Sequence, residues 1–458
     1  MAKGRATSGW LTAALVVLIV LVSTGVWNPF PGIWDWINSS APLADPAPSW
    51  QNRLGGRPKN VMVADNTVII EQPDSVEARS LITGVSLWKQ PADWTAVAGP
   101  TGRTVVITGK LLTKGYTVWE PRTGRQLRVD TRASAVWTWS NAMLDVACSQ
   151  PQSCRLTARE PASGDELWQI ELPGIGFVLF ADNPSLLGSK PLETDSAADF
   201  LGGPGLMPKL LGFEIDGKVQ VVDTVEGQRL PEVQPDRHEQ IIVAGGRVLH
   251  SVATVSQTGC VLSLVGRDAV NGTVVWQRKG YNLRTISGAG CDQPREPVGG
   301  GSAVVAVRPD GREALLDGYD GREVLTTGAG ERILGTDGIH AVVLAKDGRR
   351  VRAYLLGDPD PLWTRAVHDG AEAAVSATAI VIFDRGPDRI IAVEPATGVI
   401  FVQANSDARA LAVSPGGLLV GDRRDLGLII FGGPALQPLP TPSDAGGSSR
   451  MPGREIPS

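Results

Sequence analysis

The sequence predicts an all-β protein, a β-propeller of four-stranded antiparallel blades preceded by a single N-terminal transmembrane helix. Three observations lead to this fold class. A phrase with an acid four residues before a glycine recurs along the chain, mostly at intervals within the length range of propeller blades. Residues 60–431 show no sustained 3.6-residue apolar period, so we expect few helices there. Glycine (54 residues) and proline (33 residues) are abundant, which indicates frequent turns.

The first element is an apolar segment at the N-terminus. Residues 10–27 carry no charge, and a helix of that length would span about 27 Å, close to the thickness of a bilayer core. Lys3 and Arg5 precede the segment, so the positive-inside rule places residues 1–9 in the cytoplasm and the rest of the chain outside. The alternative is a cleaved signal peptide, for which residues 23–25 are a weak cleavage site. We therefore expect a single-pass protein of the cell membrane with an extracytoplasmic domain.

Two segments of different composition flank the predicted propeller. Residues 28–49 contain proline and serine without a helical or strand period and are expected to form a linker. The propeller itself is expected over residues 50–431. Residues 432–458 are rich in Pro, Gly and Ser and have the composition of a disordered tail.

The repeated glycine is expected in the loop between the third and fourth strands of each blade. A short hairpin loop often contains a residue with left-handed backbone, which glycine adopts without steric penalty. The turn glycines are Gly84, Gly124, Gly164, Gly227, Gly272, Gly321 and Gly398. An acid four residues earlier would accept backbone N–H groups of the turn. These acids are Glu120, Glu160, Asp223, Asp268, Asp317 and Glu394.

The fourth residue after each turn glycine is here called the docking slot. Tryptophan occupies it in three units, and Trp363 occupies it in the degenerate unit 351–367, where Pro359 replaces the glycine; the four are Trp88, Trp168, Trp276 and Trp363. A tryptophan ring buries roughly 150–250 Å², so we expect these rings to pack between neighbouring blades. Leu325 and Val402 fill two other slots. Arg128 and Pro231 are not expected to dock, so their neighbours Leu127 and Leu230 would replace them.

Eight blades are favoured within a range of seven to nine. Eight units are counted between residues 61 and about 403, and a partial ninth follows at 408–432. Trp50 lies in a segment that would supply the missing strand of this last unit. Because nine blades are unusual, one counted unit is expected to be false, and the degenerate units near 300–328 and 351–367 are the candidates.

The phrases "REPASGDELW" (159–168) and "GRDAVNGTVVW" (266–276) resemble the pyrroloquinoline-quinone-like (PQQ-like) repeat family of β-propellers. That family's phrase is Ala-x-Asp-x-x-x-Gly-x-x-x-Trp, and the resemblance covers about residues 50–431. It implies a tryptophan docked between blades, and it includes non-catalytic envelope scaffolds. Quinoprotein dehydrogenases of the family grip their quinone with a vicinal disulfide and a calcium ion. This chain has no adjacent cysteines, so we expect no cofactor, PQQ included.

The four cysteines are Cys148, Cys154, Cys260 and Cys291. An even number in an exported domain suggests disulfides. Cys148 and Cys154 flank "SQPQS", a turn-like sequence that would be closed by a bond between them, which leaves Cys260 and Cys291 as the second pair. The alternative is free thiols in a reducing compartment.

The sequence contains little recognisable chemistry. It has no nucleophile elbow, phosphate-binding loop or dinucleotide-binding fingerprint. The four histidines are scattered, and "DGYDGRE" (317–323) is in register with the turn phrase rather than a calcium loop. We therefore predict no catalytic, metal-binding or cofactor-binding residue. The net charge of −5 argues against a nucleic-acid partner.

One insertion is a candidate partner loop. Residues 182–209 are long for a connection between strands, and such loops are often functional or disordered. The insertion carries an apolar set that would form a contact patch: Phe200, Leu201, Leu206 and Met207. The expected function is a non-catalytic binding scaffold for an envelope protein or polymer. The alternative is a cofactor-binding or enzymatic propeller, a quinoprotein-like oxidoreductase or a hydrolase, that uses the central channel. Small apolar inner strands such as "VMVA", "IIVA" and "AVSA" favour the scaffold.

Overall fold

A computed structural model describes residues 42–150, 152–174, 186–187, 204–256, 259–283, 298–299 and 302–432. The described residues from 43 to 432 belong to one compact unit. Every regular element in the described ranges is a β-strand. None of these ranges contains a helix long and apolar enough to cross a membrane. The predicted transmembrane helix at 10–27 lies outside the described residues.

The strands form nine sheets, which are the blades of a propeller and are numbered here in chain order. Blade 1 comprises β2 (Asn60–Ala64), β3 (Thr67–Glu71), β4 (Ser75–Ser80) and β5 (Ser86–Pro91). Blade 2 comprises β6 (Trp94–Ala98), β7 (Val105–Gly109), β8 (Tyr116–Trp119) and β9 (Gln126–Asp130). Blade 3 comprises β10 (Ala135–Thr138), β11 (Met143–Gln150), β12 (Ser153–Arg159) and β13 (Glu166–Leu172). Blade 4 comprises β14 (Leu186–Leu187), β15 (Leu210–Ile215), β16 (Lys218–Asp223) and β17 (Gln228–Arg229).

The second half of the ring follows the same plan. Blade 5 comprises β18 (Glu239–Ala244), β19 (Arg247–Ser256), β20 (Gly259–Arg267) and β21 (Val274–Lys279). Blade 6 comprises β22 (Asn282–Leu283), β24 (Ala303–Val307), β25 (Glu313–Asp317) and β26 (Glu323–Thr326). Blade 7 comprises β27 (Arg332–Thr336), β28 (His340–Leu344), β29 (Arg350–Leu355) and β30 (Pro361–Ala366). Blade 8 comprises β31 (Glu372–Val375), β32 (Ile380–Asp384), β33 (Arg389–Val393) and β34 (Ile400–Asn405). Blade 9 comprises β35 (Arg409–Ser414), β36 (Gly417–Asp422), β37 (Asp425–Ile430) and β1 (Trp50–Arg53).

The propeller prediction is confirmed, but the favoured number of eight blades is wrong, because there are nine four-stranded blades. Both degenerate units are real: residues 300–328 supply most of blade 6, and residues 351–367 supply the outer half of blade 7. The ninth blade is completed by β1, which pairs antiparallel with β37 so that Trp50 lies opposite Leu428. This pairing joins the two ends of the propeller and closes the ring.

The hydrophobic core lies between neighbouring blades, because each sheet presents alternate side chains to the blade on either side. Between blades 2 and 3, Val105 and Ile107 belong to the same buried cluster as Val136 and Met143. β-branched residues suit these pleated surfaces, and each buried CH₂ group contributes about 0.8 kcal/mol. Leu43, which precedes β1, is buried in the corresponding cluster of blades 8 and 9.

Blade 5 carries a fifth strand that the sequence pattern did not predict. A short strand, β23 (Val298–Gly299), pairs in parallel with the first strand of blade 5, so that Val298 lies opposite Ile242. β23 comes from the connection between β22 and β24 of blade 6. Because the first strand of each blade is the innermost, this addition lies on the axial side of blade 5.

Candidate functional site

The predicted turn glycines all have left-handed backbone, with φ between 61° and 79°. In six of the seven turns the glycine N–H donates to the carbonyl four residues earlier. The acid at that earlier position also binds the turn through its side chain. The carboxylate of Asp223 accepts from the N–H of Val225 at 2.9 Å, and that of Asp268 accepts from the N–H of Val270 at 3.0 Å. The repeated acid and glycine therefore build the turn six times, and Ser80 takes the place of the acid in the Gly84 turn.

The Glu120 turn shows the electrostatic consequence of this capping. Burial of the carboxyl would raise its pKa, but hydrogen bonds from the hydroxyl and N–H of Thr123 outweigh burial and hold the pKa of Glu120 below its ordinary value. The carboxylate is thus stabilised in its charged form. Its role in this turn is structural.

Five tryptophans pack on the turn of the following blade in one geometry. A Cβ placed on the turn glycine would lie within 2.6 Å of an indole ring atom at each of five pairs: Trp50 on Gly84, Trp88 on Gly124, Trp168 on Gly227, Trp276 on Gly321 and Trp363 on Gly398. The glycine is therefore required twice, for its positive φ and for the close approach of the ring. Trp276 is buried, with 9% of its surface exposed, and the other four are half-buried.

The indole nitrogens of these five tryptophans donate to equivalent acceptors. In each case the acceptor is the carbonyl three residues before the turn glycine: Leu81 (2.8 Å), Pro121 (2.7 Å), Thr224 (2.8 Å), Gly318 (3.2 Å) and Pro395 (2.9 Å). A buried tryptophan N–H needs such a partner. Trp50 was not among the sequence-predicted docking residues, because it belongs to β1 and follows no turn glycine in the chain.

A β-bulge precedes the docking slot in seven blades. In blade 3, Ala158 lies opposite Trp168 but Arg159 lies opposite Glu166, so Leu167 is the extra residue. The same shift occurs in the equivalent position of blades 1, 2, 5, 6, 7 and 8. A bulge bends the strand and redirects the side chain that follows it. Its sequence signal is the apolar residue just before the slot, as in "LW".

We call the contact between two neighbouring blades a seam. Seams without a docked tryptophan are filled by other side chains. Arg128, which was not expected to dock, covers Gly164 with its guanidinium and lies 5.9 Å from the centre of the Tyr116 ring. Leu325 packs with Tyr354 in the core of blades 6 and 7. Val402 packs with Phe431 in the core of blades 8 and 9. Leu127 is partly buried and Leu230 is buried.

The disulfide between Cys148 and Cys154 is confirmed. The two residues are opposite each other on β11 and β12, so the bond closes the hairpin between the second and third strands of blade 3. Cys260 is also disulfide-bonded. Cys291, its predicted partner, lies outside the described residues.

The candidate partner loop lies between the first and second strands of blade 4, and part of it forms regular structure. Residues 186–187 are β14, the innermost strand of that blade. Met207 packs partly buried against the core of blade 3, and its N–H donates to the side chain of Asn141 at 2.8 Å. Leu206 is 74% exposed. Phe200 and Leu201 lie outside the described residues.

Two long connections lie on the same face of the propeller. One joins β14 to β15 and contains Leu206, and the other joins β22 to β24 and contains β23. Both link a first strand to a second strand, as does the turn of blade 3 whose Ser140 N–H donates to the carbonyl of Gly205 at 2.8 Å. We call this side, with Ser140, Leu206 and β23, the insertion face. The turns that contain the repeated glycines open on the same face.

Several buried ionisable groups in the described blades are paired with one another. The Tyr116 hydroxyl donates to Asp145 at 3.0 Å, and Arg159 contacts the same carboxylate at 2.6 Å, which joins blades 2 and 3. Burial and the Asp145 charge raise the pKa of Tyr116 above its ordinary range. In blade 5 the His250 ring contacts Glu239 at 2.7 Å. Burial would raise the pKa of Glu239, but hydrogen bonds from His250 and from the N–H of Asp236, together with the nearby charge of Arg267, outweigh burial and lower that pKa.

The inner strands named by sequence are innermost in the structure. "VMVA" lies on β2, "IIVA" on β18, and the first residues of "AVSA" on β31. All five residues of β6 are buried, and the hydroxyl of Thr95 donates to the carbonyl of Ile107 at 2.9 Å. Within the described ranges, no three His, Cys, Asp or Glu side chains are grouped as metal ligands would be.

Three comparisons relate the chain to known proteins. The family model described as "Outer membrane protein assembly factor BamB" matches residues 262–416, from the third strand of blade 5 into blade 9. A comparison with curated proteins finds no significant sequence match. Among solved structures, BamB from Moraxella catarrhalis is 14% identical over 78% of this chain and 98% of its own, with a TM-score of 0.34.

Other solved structures are similar to a comparable extent. The computationally designed Ika8 protein is 14% identical over 77% of this chain and 98% of its own, with a TM-score of 0.37. A europium-containing methanol dehydrogenase is 12% identical over 81% of this chain and 84% of its own, also with a TM-score of 0.37. Residues 262–416 of this nine-bladed propeller are thus similar to the family described as outer membrane protein assembly factor BamB.

Proposed function

We propose that the protein is a non-catalytic scaffold, anchored in the cell membrane by residues 10–27, whose extracytoplasmic propeller binds an envelope protein. The observation that carries the proposal is the insertion face. There, two long connections begin and end at strands of the ring, and one of them presents Leu206 to solvent. Binding residues are commonly placed on loops that a rigid scaffold positions.

Two further observations support the scaffold. The family matched by residues 262–416 is described as an assembly factor. The described innermost strands carry small apolar residues such as Ala96, Ala98 and Ala373, whereas a binding channel for a polar cofactor would need several convergent polar groups. The alternative of a cofactor-binding or enzymatic propeller would require such groups on the axis.

The membrane arrangement is part of the same proposal. Residues 10–27 carry no charge, and Lys3 and Arg5 precede them, which supports a cytoplasmic N-terminus and a propeller on the outer side. Protease added to intact cells whose wall has been removed should then digest the propeller. Complete protection of the propeller would overturn this arrangement.

Site-specific photo-crosslinking tests the binding face. A photoreactive amino acid replaces Leu206 on the insertion face or, as the matched control, Leu112, which is 88% exposed in the hairpin between the second and third strands of blade 2. That hairpin lies on the opposite face. After illumination of intact cells, we expect a discrete protein adduct from position 206 and none from position 112. No adduct at either position, or equal adducts at both, would contradict the proposed binding face.

A further inference from the structure

One turn of the repeat is uncovered. Gly272 is exposed, whereas the other six predicted turn glycines are buried or half-buried. A Cβ placed on Gly272 would have no described atom within 4 Å. The equivalent position on Gly227, one blade earlier, lies 2.5 Å from the Trp168 ring. Among the described residues, the seam between blades 4 and 5 therefore has the turn but no covering side chain.

Pro231 explains why this seam is open. It occupies the docking slot of blade 4, where proline cannot donate to the strand ladder. The fourth strand of blade 4, β17, ends at Arg229; the Leu230 N–H still donates to the Val221 carbonyl at 2.8 Å, and the next pairing is the bridge between Val233 and Val219. Leu230 is buried in the core of blades 4 and 5, so the inner part of the seam is filled and only its outer part is empty.

The empty part is a notch with the same features as the five filled ones. The Gly272 N–H donates to the Asp268 carbonyl at 2.9 Å, and the Asp268 carboxylate accepts from the N–H of Asn271 at 3.2 Å, so the turn is rigid without a docked ring. The carbonyl of Ala269, three residues before Gly272, is equivalent to the carbonyl that accepts the indole N–H in the five filled turns. Val270, 61% exposed, forms an apolar rim.

We propose that this notch, defined by Asp268 to Gly272, binds a tryptophan side chain presented by a partner protein. Five identical turns in the same molecule hold an indole, with its N–H on the carbonyl three residues before the glycine and its ring on the glycine. A flat ring that carries one N–H donor fits that pair of features. The notch lies on the insertion face, so this inference rests on the scaffold proposal and specifies how the partner is held.

The chain itself supplies the probe. A peptide copying residues 165–171, DELWQIE, reproduces the fourth strand of blade 3, whose Trp168 fills the Gly227 notch. With 5-fluorotryptophan in place of tryptophan, its binding to the purified full-length protein is followed by ¹⁹F NMR, free of signal from the protein's own 13 tryptophans. We expect saturable binding, and none for the peptide with alanine at the tryptophan position.

Two glycine variants assign the binding to the notch. Gly272→Asn adds a side chain over the notch at a left-handed position that asparagine tolerates. Gly217→Asn is the matched control, because Gly217 also has positive φ and open space around it but lies in the opposite-face hairpin of blade 4. We expect Gly272→Asn to weaken the peptide's Kd at least about tenfold and Gly217→Asn to leave it unchanged.

The outcomes separate this inference from the function on which it rests. Absence of peptide binding up to millimolar concentration, or binding that Gly272→Asn does not weaken, would contradict the proposal that the notch binds a tryptophan side chain. A failure of crosslinking at position 206 would contradict the proposed binding face. It would not change the interpretation of the peptide binding. Circular dichroism of both asparagine variants must show wild-type folding, since an unfolded Gly272→Asn would lose binding for a trivial reason; in that case Val270→Asp, which removes only the exposed apolar rim, takes its place.

Discussion

The two seams on either side of blade 5 differ in the residue that occupies the docking slot. Toward blade 6, Trp276 occupies the docking slot, is 9% exposed and lies on Gly321 with its indole N–H on the Gly318 carbonyl. Toward blade 4, Pro231 occupies the equivalent slot and leaves Gly272 exposed. The turns themselves are alike, since the glycine N–H bonds to the acid's carbonyl at 2.9 Å in both.

This comparison shows that the turn and the docking side chain are independent parts of the repeat. The acid and the glycine form the turn through local hydrogen bonds, whether or not a ring covers it. The docking residue must be carried by a paired strand, and β21 (Val274–Lys279) provides one whereas β17 (Gln228–Arg229) does not. The sequence phrase therefore predicts the turn more securely than it predicts a closed seam.

The largest effect is expected from opening the closed seam. Trp276→Ala removes a buried ring and leaves a cavity between blades 5 and 6, which typically costs about 3–5 kcal/mol. Domains have a total stability of roughly 5–15 kcal/mol, so the melting temperature of the full-length protein should fall clearly in calorimetry. The melting temperature of Trp276→Phe should fall less, because this variant loses the N–H donor to Gly318 but keeps most of the apolar area.

Trp34→Ala is the control, since the sequence places Trp34 in the linker. It should leave the propeller's melting temperature unchanged. If Trp276→Ala also left it unchanged, the docked ring would contribute nothing to stability. The difference between the two seams would then have no effect on the stability of the propeller.

Much of this architecture was predictable because its signals are local. The acid, the left-handed glycine and the slot tryptophan lie within nine consecutive residues, and the turn is closed by bonds inside that stretch. The pairing of the Trp50 segment with the last blade also followed from a simple count, since the final unit had three strands. The Cys148–Cys154 bond followed from the short turn between the two residues.

What was missed depends on contacts between distant residues. β23 pairs with β18 across more than fifty residues, and no local pattern marks it. Arg128 covers Gly164 although an arginine in the slot is not expected to dock. The blade count failed because two degenerate units form complete sheets by tertiary pairing despite their weak phrases.

A bond inside a blade provides the contrast to both seams. Replacing Cys148 and Cys154 by serine removes a disulfide that spans six positions of sequence within blade 3. For a loop this short, the chain-entropy model gives a loss of about 2–3 kcal/mol, acting through the unfolded state. We expect a smaller fall in melting temperature than for Trp276→Ala, with each variant measured against the oxidised wild type. A larger fall would mean that single blades, rather than seams, limit stability.

A buried carboxylate in blade 8 should make stability depend on pH. Burial would raise the pKa of Asp384, but hydrogen bonds from His368 and from Arg389 outweigh it and lower that pKa below its ordinary value. In the unfolded protein the pKa of an aspartate is about 3.9, so above about pH 3.9 the charged carboxylate stabilises the folded state. This stabilisation is lost as the pH falls through the lower pKa of the folded protein. Asp384→Asn should cost about 1–2 kcal/mol at pH 7. Its melting temperature should approach that of the wild type below about pH 4; a gap that stays constant with pH would contradict this assignment.

The smallest effect is expected from closing the open seam. Pro231→Trp restores both parts that blade 4 lacks, a backbone N–H that can continue β17 and an indole that can reach Gly272. An aromatic contact of this kind contributes about 0.5–1.5 kcal/mol beyond its buried area, so the melting temperature should rise modestly. Pro231→Ala is the matched control, because it restores the N–H without the ring and should give little or none of this gain.

The same Pro231→Trp variant should no longer bind the tryptophan peptide, since the notch would be filled from within the chain. If the variant were stabilised and still bound the peptide, the peptide site would lie elsewhere; if it were not stabilised at all, the two seams of blade 5 would differ in more than the residue in the docking slot.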